Sequence, residues 1–215
     1  MYKDNIEAGT GYAVVYGCNE YCGTIMVPFT IVPKAINKCK LQVKNTTLYY
    51  NGREQKNLSF SVKDGKRILK PGIDYTITYV GDFQNISGKV KPYIEIHAIE
   101  GGNYTEGTKI LKKTFKIVKG RLNSTASIET CLVGEGVTYD SATKTYKVPV
   151  GVEPQVVVTY NGEILNGRKF VKNMDKTGLS YTYKLPKIKA GKKGIIKVTG
   201  VNNFSGSVSV KYIVY

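Results

Sequence analysis

The sequence predicts an all-β chain of tandem antiparallel sandwiches, and three observations carry that reading. One turn is written three times: Gly17-Cys18-Asn19-Glu20-Tyr21-Cys22-Gly23, Gly102-Asn103-Tyr104-Thr105-Glu106-Gly107 and Gly200-Val201-Asn202-Asn203-Phe204-Ser205-Gly206. Each copy sets Asn and an aromatic between glycines, residue types that tolerate the left-handed backbone of a strand-to-strand turn. Each leads into an alternating run that closes on aromatic and β-branched residues, at 29–32, 115–118 and 212–215. Period-two alternation recurs through most of the chain, and no segment sustains a period of 3.6.

The spacing of the copies, roughly 84 and then 99 residues, divides the 215 residues into units large enough to bury their own cores. Residues 1–35 read as the back half of one unit. The run 2–9 matches 183–191 with one residue fewer, and 12–16 matches the strand at 194–199. Residues 33–40 read as a basic linker. Residues 36–119 form a complete unit with strands at 41–43, 47–50, 58–62, 75–79, 93–98 and 114–117, separated by turns at Asn51-Gly52, Asp64-Gly65 and Pro71-Gly72. Its expected core is Leu58, Phe60, Val62, Ile77, Ile94, Ile96, Phe115 and Ile117. Residues 120–215 form a third unit with an enlarged front, where 137–139 and 145–148 flank Asp140-Ser141-Ala142-Thr143-Lys144 as an added hairpin.

A half unit poses a physical problem. A couple of strands cannot bury a two-sheet core, and an open edge with an apolar face invites association. Residues 2–33 are therefore expected to be an assembly surface, completed by strand pairing with another chain, or the torn edge of a longer protein.

The run 61–79 (SVKDGKRILKPGIDYTITY), followed by Gly102-Asn103-Tyr104 and Phe115-Lys116-Ile117, resembles the bacterial immunoglobulin-like repeats of Gram-positive surface proteins. The run 2–10 is similar to the middle of the same repeat. The resemblance spans most of the chain and is weakest at the front of the third unit. It implies tandem immunoglobulin-like antiparallel β-sandwiches that act as spacers, adhesion modules or virion appendages. An extracellular, cell-surface or virion location follows from it, and it brings no catalytic residues or cofactor.

The net charge is +16, from 32 Lys and Arg against 16 Asp and Glu. Such a balance suits a polyanion partner, such as an acidic polysaccharide, and equally suits lysine-guarded sheet edges. Lysines scattered through every strand favour the second source and count against nucleic acid. The densest Lys/Tyr interleaving is Lys184, Lys187, Lys189, Lys192, Lys193 and Lys197 with Tyr181 and Tyr183, a candidate polyanion or glycan face. The same pattern arises in a strand with Lys outside and Tyr packed inside.

Cys18 and Cys22 flank one copy of the turn, where the other copies carry Val201 and Ser205. They are either a short-loop disulfide or two loop thiols. The pairing of Cys39 and Cys131 is unreadable from spacing. No apolar run approaches a membrane span.

The single histidine, His97, alternates with Ile94, Ile96 and Ala98 and so shares the opposite strand face with Glu95. One His and one carboxylate make too few ligands for a transition-metal site, and a solvent-facing sheet position accounts for both. No phosphate loop, His-Glu-x-x-His, nucleophile elbow or calcium loop occurs. Six Asn-x-Ser/Thr triplets, at Asn45, Asn57, Asn85, Asn103, Asn123 and Asn203, are what Asn-rich turns beside Thr-rich strands produce. The expected function is a non-catalytic structural or adhesive module. The alternative is a carbohydrate- or polyanion-binding module using the Lys/Tyr face.

Overall fold

A computed structural model describes residues 1–123 and 128–215. The chain is all-β, built from several small antiparallel and parallel sheets, and the helical structure among the described residues is a single 3-10 turn at Ile36–Lys38. The first copy of the turn joins β2 (Gly9–Tyr16) to β3 (Thr24–Ile31), with β1 (Tyr2–Lys3) on the other side of β2. The chain continues as β4 (Lys34–Ala35), β5 (Lys40–Val43), β6 (Thr47–Tyr49), β7 (Phe60–Asp64), β8 (Arg67–Ile68), β9 (Tyr75–Val80), β10 (Tyr93–Ala98), β11 (Tyr104–Thr105), β12 (Leu111–Thr114) and β13 (Lys116–Val118). Then follow β14 (Gly120–Arg121), β15 (Ile128–Val133), β16 (Thr138–Asp140), β17 (Thr145–Val148), β18 (Gln155–Tyr160), β19 (Glu163–Ile164), β20 (Gly167–Lys169), β21 (Tyr181–Lys184), β22 (Lys193–Gly200), β23 (Phe204–Ser205) and β24 (Ser207–Val214). Thr125, the third residue of the Asn123 triplet, lies outside the described residues.

The chain divides into two compact units. The first comprises Met1–Thr47, Gln55–Phe83 and Ser87–Lys116, so the first hairpin folds together with most of the second copy. It holds the sheets β1-β2-β3, β12-β10-β9, β5-β7-β8 and the parallel pair β4-β11. Alternation does the sorting: Ile94 and Ile96 are fully buried, while Glu95 and His97 turn to the other face. Val62, Phe83 and Phe115 are buried to the same degree, and Phe83 packs between Tyr79 and Phe115 at ring separations of 5.6 and 5.9 Å. Of the other expected core positions in this unit, Leu58, Phe60 and Ile77 are only half-buried. Each such fully buried side chain contributes on the order of 1.5–3 kcal/mol, so Val62, Ile94, Ile96, Phe83 and Phe115 dominate this core.

Residues 33–40, which read as a linker, contain β4, the 3-10 turn and the start of β5. β4 lies parallel to β11, with Lys34 opposite Tyr104 and Ala35 opposite Thr105. Lys34 N–H donates to the Asn103 carbonyl at 3.0 Å, and Ile36 is 1% exposed. A polar node holds the same strand by its side chain. The Lys34 ammonium meets Asp64 on β7 at 2.6 Å, and the Tyr104 hydroxyl donates to the same carboxylate at 3.2 Å.

The second unit comprises Leu48–Glu54, Gln84–Ile86 and Ile117–Tyr215. Its six-stranded sheet runs β16-β17-β24-β22-β21-β20, and its three-stranded sheet runs β15-β18-β19. Side chains from both share one buried cluster, with Leu132, Val156 and Val158 from the smaller sheet and Tyr181, Tyr183, Ile196, Val198, Val210 and Tyr212 from the larger. β16 and β17 form the added hairpin, and β17 then runs parallel to β24, Tyr146 opposite Tyr212. The β4 arrangement recurs here. β14 lies parallel to β23 with Gly120 opposite Phe204, Gly120 N–H donates to the Asn203 carbonyl at 2.9 Å, and Leu122 is 1% exposed.

Candidate functional site

In the second unit the outer face of the large sheet carries a concavity lined by cations. β21 pairs with β22 so that Thr182 faces Thr199 and Lys184 faces Lys197. Directly opposed like charges are ordinarily unfavourable on a sheet, so this pair raises the local positive potential. Phe170 N–H donates to the Tyr183 carbonyl at 2.7 Å, which seats the Phe170 ring beside β21. Lys176 is held nearby by its own turn: Thr177 N–H donates to Asp175 Oδ1 at 2.8 Å, and Asn202 Nδ2 donates to the Lys176 carbonyl at 2.6 Å.

The result is a concavity of about 330 Å³ lined by Phe170, Lys176, Thr182, Lys184, Lys197 and Thr199, with Tyr183 and Val201 at its border. The Lys184 and Lys176 ammoniums lie 4.9 and 5.7 Å from the centre of the Phe170 ring, a separation at which the ring face attracts a cation. Chemically, such a surface offers three ammoniums, two hydroxyls and one ring, which suits an anionic sugar or a comparable small polyanion.

The Lys/Tyr residues singled out in the sequence are distributed over different places. Tyr181 is 2% and Tyr183 7% exposed, and both belong to the buried cluster. The Tyr181 hydroxyl donates to the Val156 carbonyl at 2.6 Å, and burial pushes its pKa up. Lys184 and Lys197 reach the concavity, and Tyr183, though 7% exposed, also borders it. Lys187 lines a separate surface depression with Glu153, Lys169 and Ile188, where Lys169 and Glu153 pair as ions. Lys189, Lys192 and Lys193 are exposed along the turn into β22 and at its start. Phe170 was not singled out from the sequence, because it sits in an irregular segment and reaches the lysines only through its bond to β21.

Cys18 and Cys22 are both exposed and unbridged, as Tyr21 N–H closes the turn on the Cys18 carbonyl at 3.1 Å. Cys39 is buried and Cys131 half-buried, and both are free thiols. Burial, together with the nearby Asp64 carboxylate, raises the Cys39 pKa, so its thiol stays protonated and unreactive.

His97 stands between two carboxylates. Its Nε2 is 3.5 Å from Glu95 and its Nδ1 3.4 Å from Glu106, which in turn accepts a hydrogen bond from Ala98 N–H at 2.8 Å. The carboxylates address opposite edges of the ring and do not converge on one point with it. Among the described residues no group of three or more His, Cys, Asp or Glu is placed to hold a metal ion, and no helix is long and apolar enough to cross a membrane. No family model, curated protein or solved structure matches the chain.

Proposed function

We propose that this chain is a non-catalytic structural or adhesive module of tandem immunoglobulin-like sandwiches, exposed on a bacterial cell surface or a phage virion and acting in assembly or attachment. The observation that carries this reading is the reuse of one hairpin. Gly17 N–H donates to the Gly23 carbonyl at 3.0 Å and Gly200 N–H to that of Gly206 at 2.9 Å, while between the glycines Cys18, Glu20 and Cys22 of one turn stand where the other has Val201, Asn203 and Ser205. Repetition of a scaffold with variable surroundings suits spacing and display; catalysis would require one preorganised constellation. The resemblance of residues 61–79 to Gram-positive surface repeats supports the same location.

Antibodies against the chain should label intact source cells or purified virions without permeabilisation. Labelling confined to the cytosol of broken cells overturns the surface reading. A broad hydrolase screen should find no turnover; activity abolished by His97→Ala would replace the structural role with a catalytic one.

The concavity at Phe170 favours a second reading, binding of an acidic polysaccharide. Saturable binding to one glycan that survives moderate salt and is lost in Lys184→Glu/Lys197→Glu supports it. Retention on heparin that vanishes as the screening length shrinks below about 8 Å, and is indifferent to those substitutions, reflects net charge alone.

A further inference from the structure

The first and third copies of the hairpin are built alike to the level of individual residues. Position for position they lie 183 residues apart, Gly17 with Gly200 and Gly23 with Gly206, and β2 pairs with β3 in the register in which β22 pairs with β24. Asn19 and Asn202 take the same left-handed conformation, φ 56° and 52°. Gly11 faces the Phe29 ring as Gly194 faces that of Tyr212. The correspondence therefore extends to which side chains ought to be core.

Their surroundings differ completely. Val198, Val210, Tyr212 and Val214 of the third copy are at most 5% exposed, whereas Val15 and Val27 are 54% and 49% exposed and Phe29 and Ile31 half-buried. The aromatic of the turn shows the largest contrast: Phe204 is 3% and Tyr104 4% exposed, but Tyr21 is 80% exposed. In both buried cases the cause is the same short strand, β14 or β4, running parallel to the turn. Its first N–H is bonded to the carbonyl preceding the aromatic, and Leu122 or Ile36 is buried two residues on. Among the described residues no strand takes this place beside Tyr21, and β3 is the edge of its sheet.

Charge adds a second observation. Residues 1–33 carry Lys3 against Asp4, Glu7 and Glu20, a net −2, so the remaining residues carry +18. Glu20 stands where Asn103 and Asn203 stand in the other copies. The segments that fill those copies are basic, with Lys34, Lys38 and Lys40 around Ile36 and Lys119 and Arg121 before Leu122.

We propose that the first hairpin is an acceptor for a donated strand, an extended basic segment with an aliphatic anchor, supplied by a partner polypeptide other than a second copy of this chain. The donor pairs in parallel with residues 20–22 and lays its anchor over Tyr21 and the exposed Val15 and Val27, beside the half-buried Phe29. Backbone pairing gives affinity, the anchor and Glu20 give selectivity, and assembly of the chain with that partner is the consequence. This deepens the assembly reading above and rests on it.

The test uses the full chain and a peptide with the sequence of residues 32–43 carrying Cys39→Ser. Calorimetric titration should show saturable one-to-one binding, with hydrogen exchange slowed at residues 17–23. Tyr21→Ser or Val27→Glu in the chain, or Ile36→Asp in the peptide, should weaken it at least about tenfold, a loss of about 1.4 kcal/mol. Both chain substitutions are at exposed positions, and an unchanged melting curve shows the variants folded; Tyr139→Ser, an exposed tyrosine on another hairpin, should bind as the parent does. No saturation by about 1 mM peptide, or equal binding by all variants, overturns the proposal. So does light scattering that shows a dimer dispersed by Val27→Glu, which assigns the face to a second copy. Surface labelling is independent of these outcomes, so failure here and failure of the display reading are distinguishable.

Discussion

Lys34 and Asp64 meet at 2.6 Å, and Tyr104 donates its hydroxyl to the other oxygen of the same carboxylate. Three separate strands, β4, β7 and β11, are thereby joined at one anion. The Lys34 bond holds the Asp64 carboxyl below its ordinary pKa of 3.8. A depressed carboxylate stabilises the fold above its unfolded pKa and ceases to do so as pH falls through the folded value. The first unit should therefore lose stability below about pH 4, at the low end of which Asp64 protonates. Asp64→Asn should lower its melting temperature at pH 7 and flatten that acid limb, measured by thermal melts from pH 2 to 7. An unchanged limb in the variant would remove Asp64 from the account.

Tyr104 gives the opposite dependence at high pH. Burial, reinforced by the Asp64 carboxylate, pushes its phenol up to about 12. A raised acid of this kind stabilises the fold fully below its unfolded pKa, near 10, and the contribution disappears as pH rises through 12. Spectrophotometric titration should find Tyr104, together with the buried Tyr75 whose phenol burial also raises, ionising only as the first unit unfolds at high pH. Tyr104→Phe should remove one phenol from that coupled step and cost about 1 kcal/mol at neutral pH through the lost hydrogen bond.

Far-ultraviolet circular dichroism should show less than about a tenth helix, because the short turn at Ile36–Lys38 is the only helical element among the described residues. A clear helical double minimum would contradict the fold itself.

What could be read in the sequence followed what repeats. Glycine-flanked turns, and the alternation that buries Ile94 and Ile96 and turns Glu95 and His97 away, are local properties. β4 and β14 were not legible, since two residues carry no period and their pairing partners lie 70 and 84 residues away. For the same reason residues 33–40 read as a linker in the sequence. The Lys/Tyr face mixed two environments: Lys184 and Tyr181 lie three residues apart on one strand, but a strand alternates its faces, so Lys184 reaches the concavity while Tyr181 is held in the core, and Tyr183, also a core residue, only borders the concavity. Phe170 joins the lysines only through a tertiary hydrogen bond, which no window of sequence contains.

Gly194 and Gly11 allow the same substitution to be made in a covered and an uncovered copy of one hairpin. A methyl group at Gly194 would lie 2.5 Å from the Tyr212 hydroxyl and 2.7 Å from its ring carbons. Tyr212 is 1% exposed and enclosed by the core, so its ring cannot withdraw. Gly194→Ala should accordingly cost on the order of 1–3 kcal/mol, the range for overpacking a filled interior. At Gly11 the methyl would meet the Phe29 ring at 2.7 Å, nearly the same approach, and the Asp4 carbonyl at 3.1 Å. Phe29 is only half-buried and lies beside exposed Val27, which leaves its ring room to swing outward. Gly11→Ala should therefore cost less than Gly194→Ala, with the Asp4 carbonyl setting its residual cost, as compared by denaturant titration of the two variants. Equal costs would mean that the face of β2 and β3 is covered in solution, and saturating strand peptide should raise the cost at Gly11 toward that at Gly194.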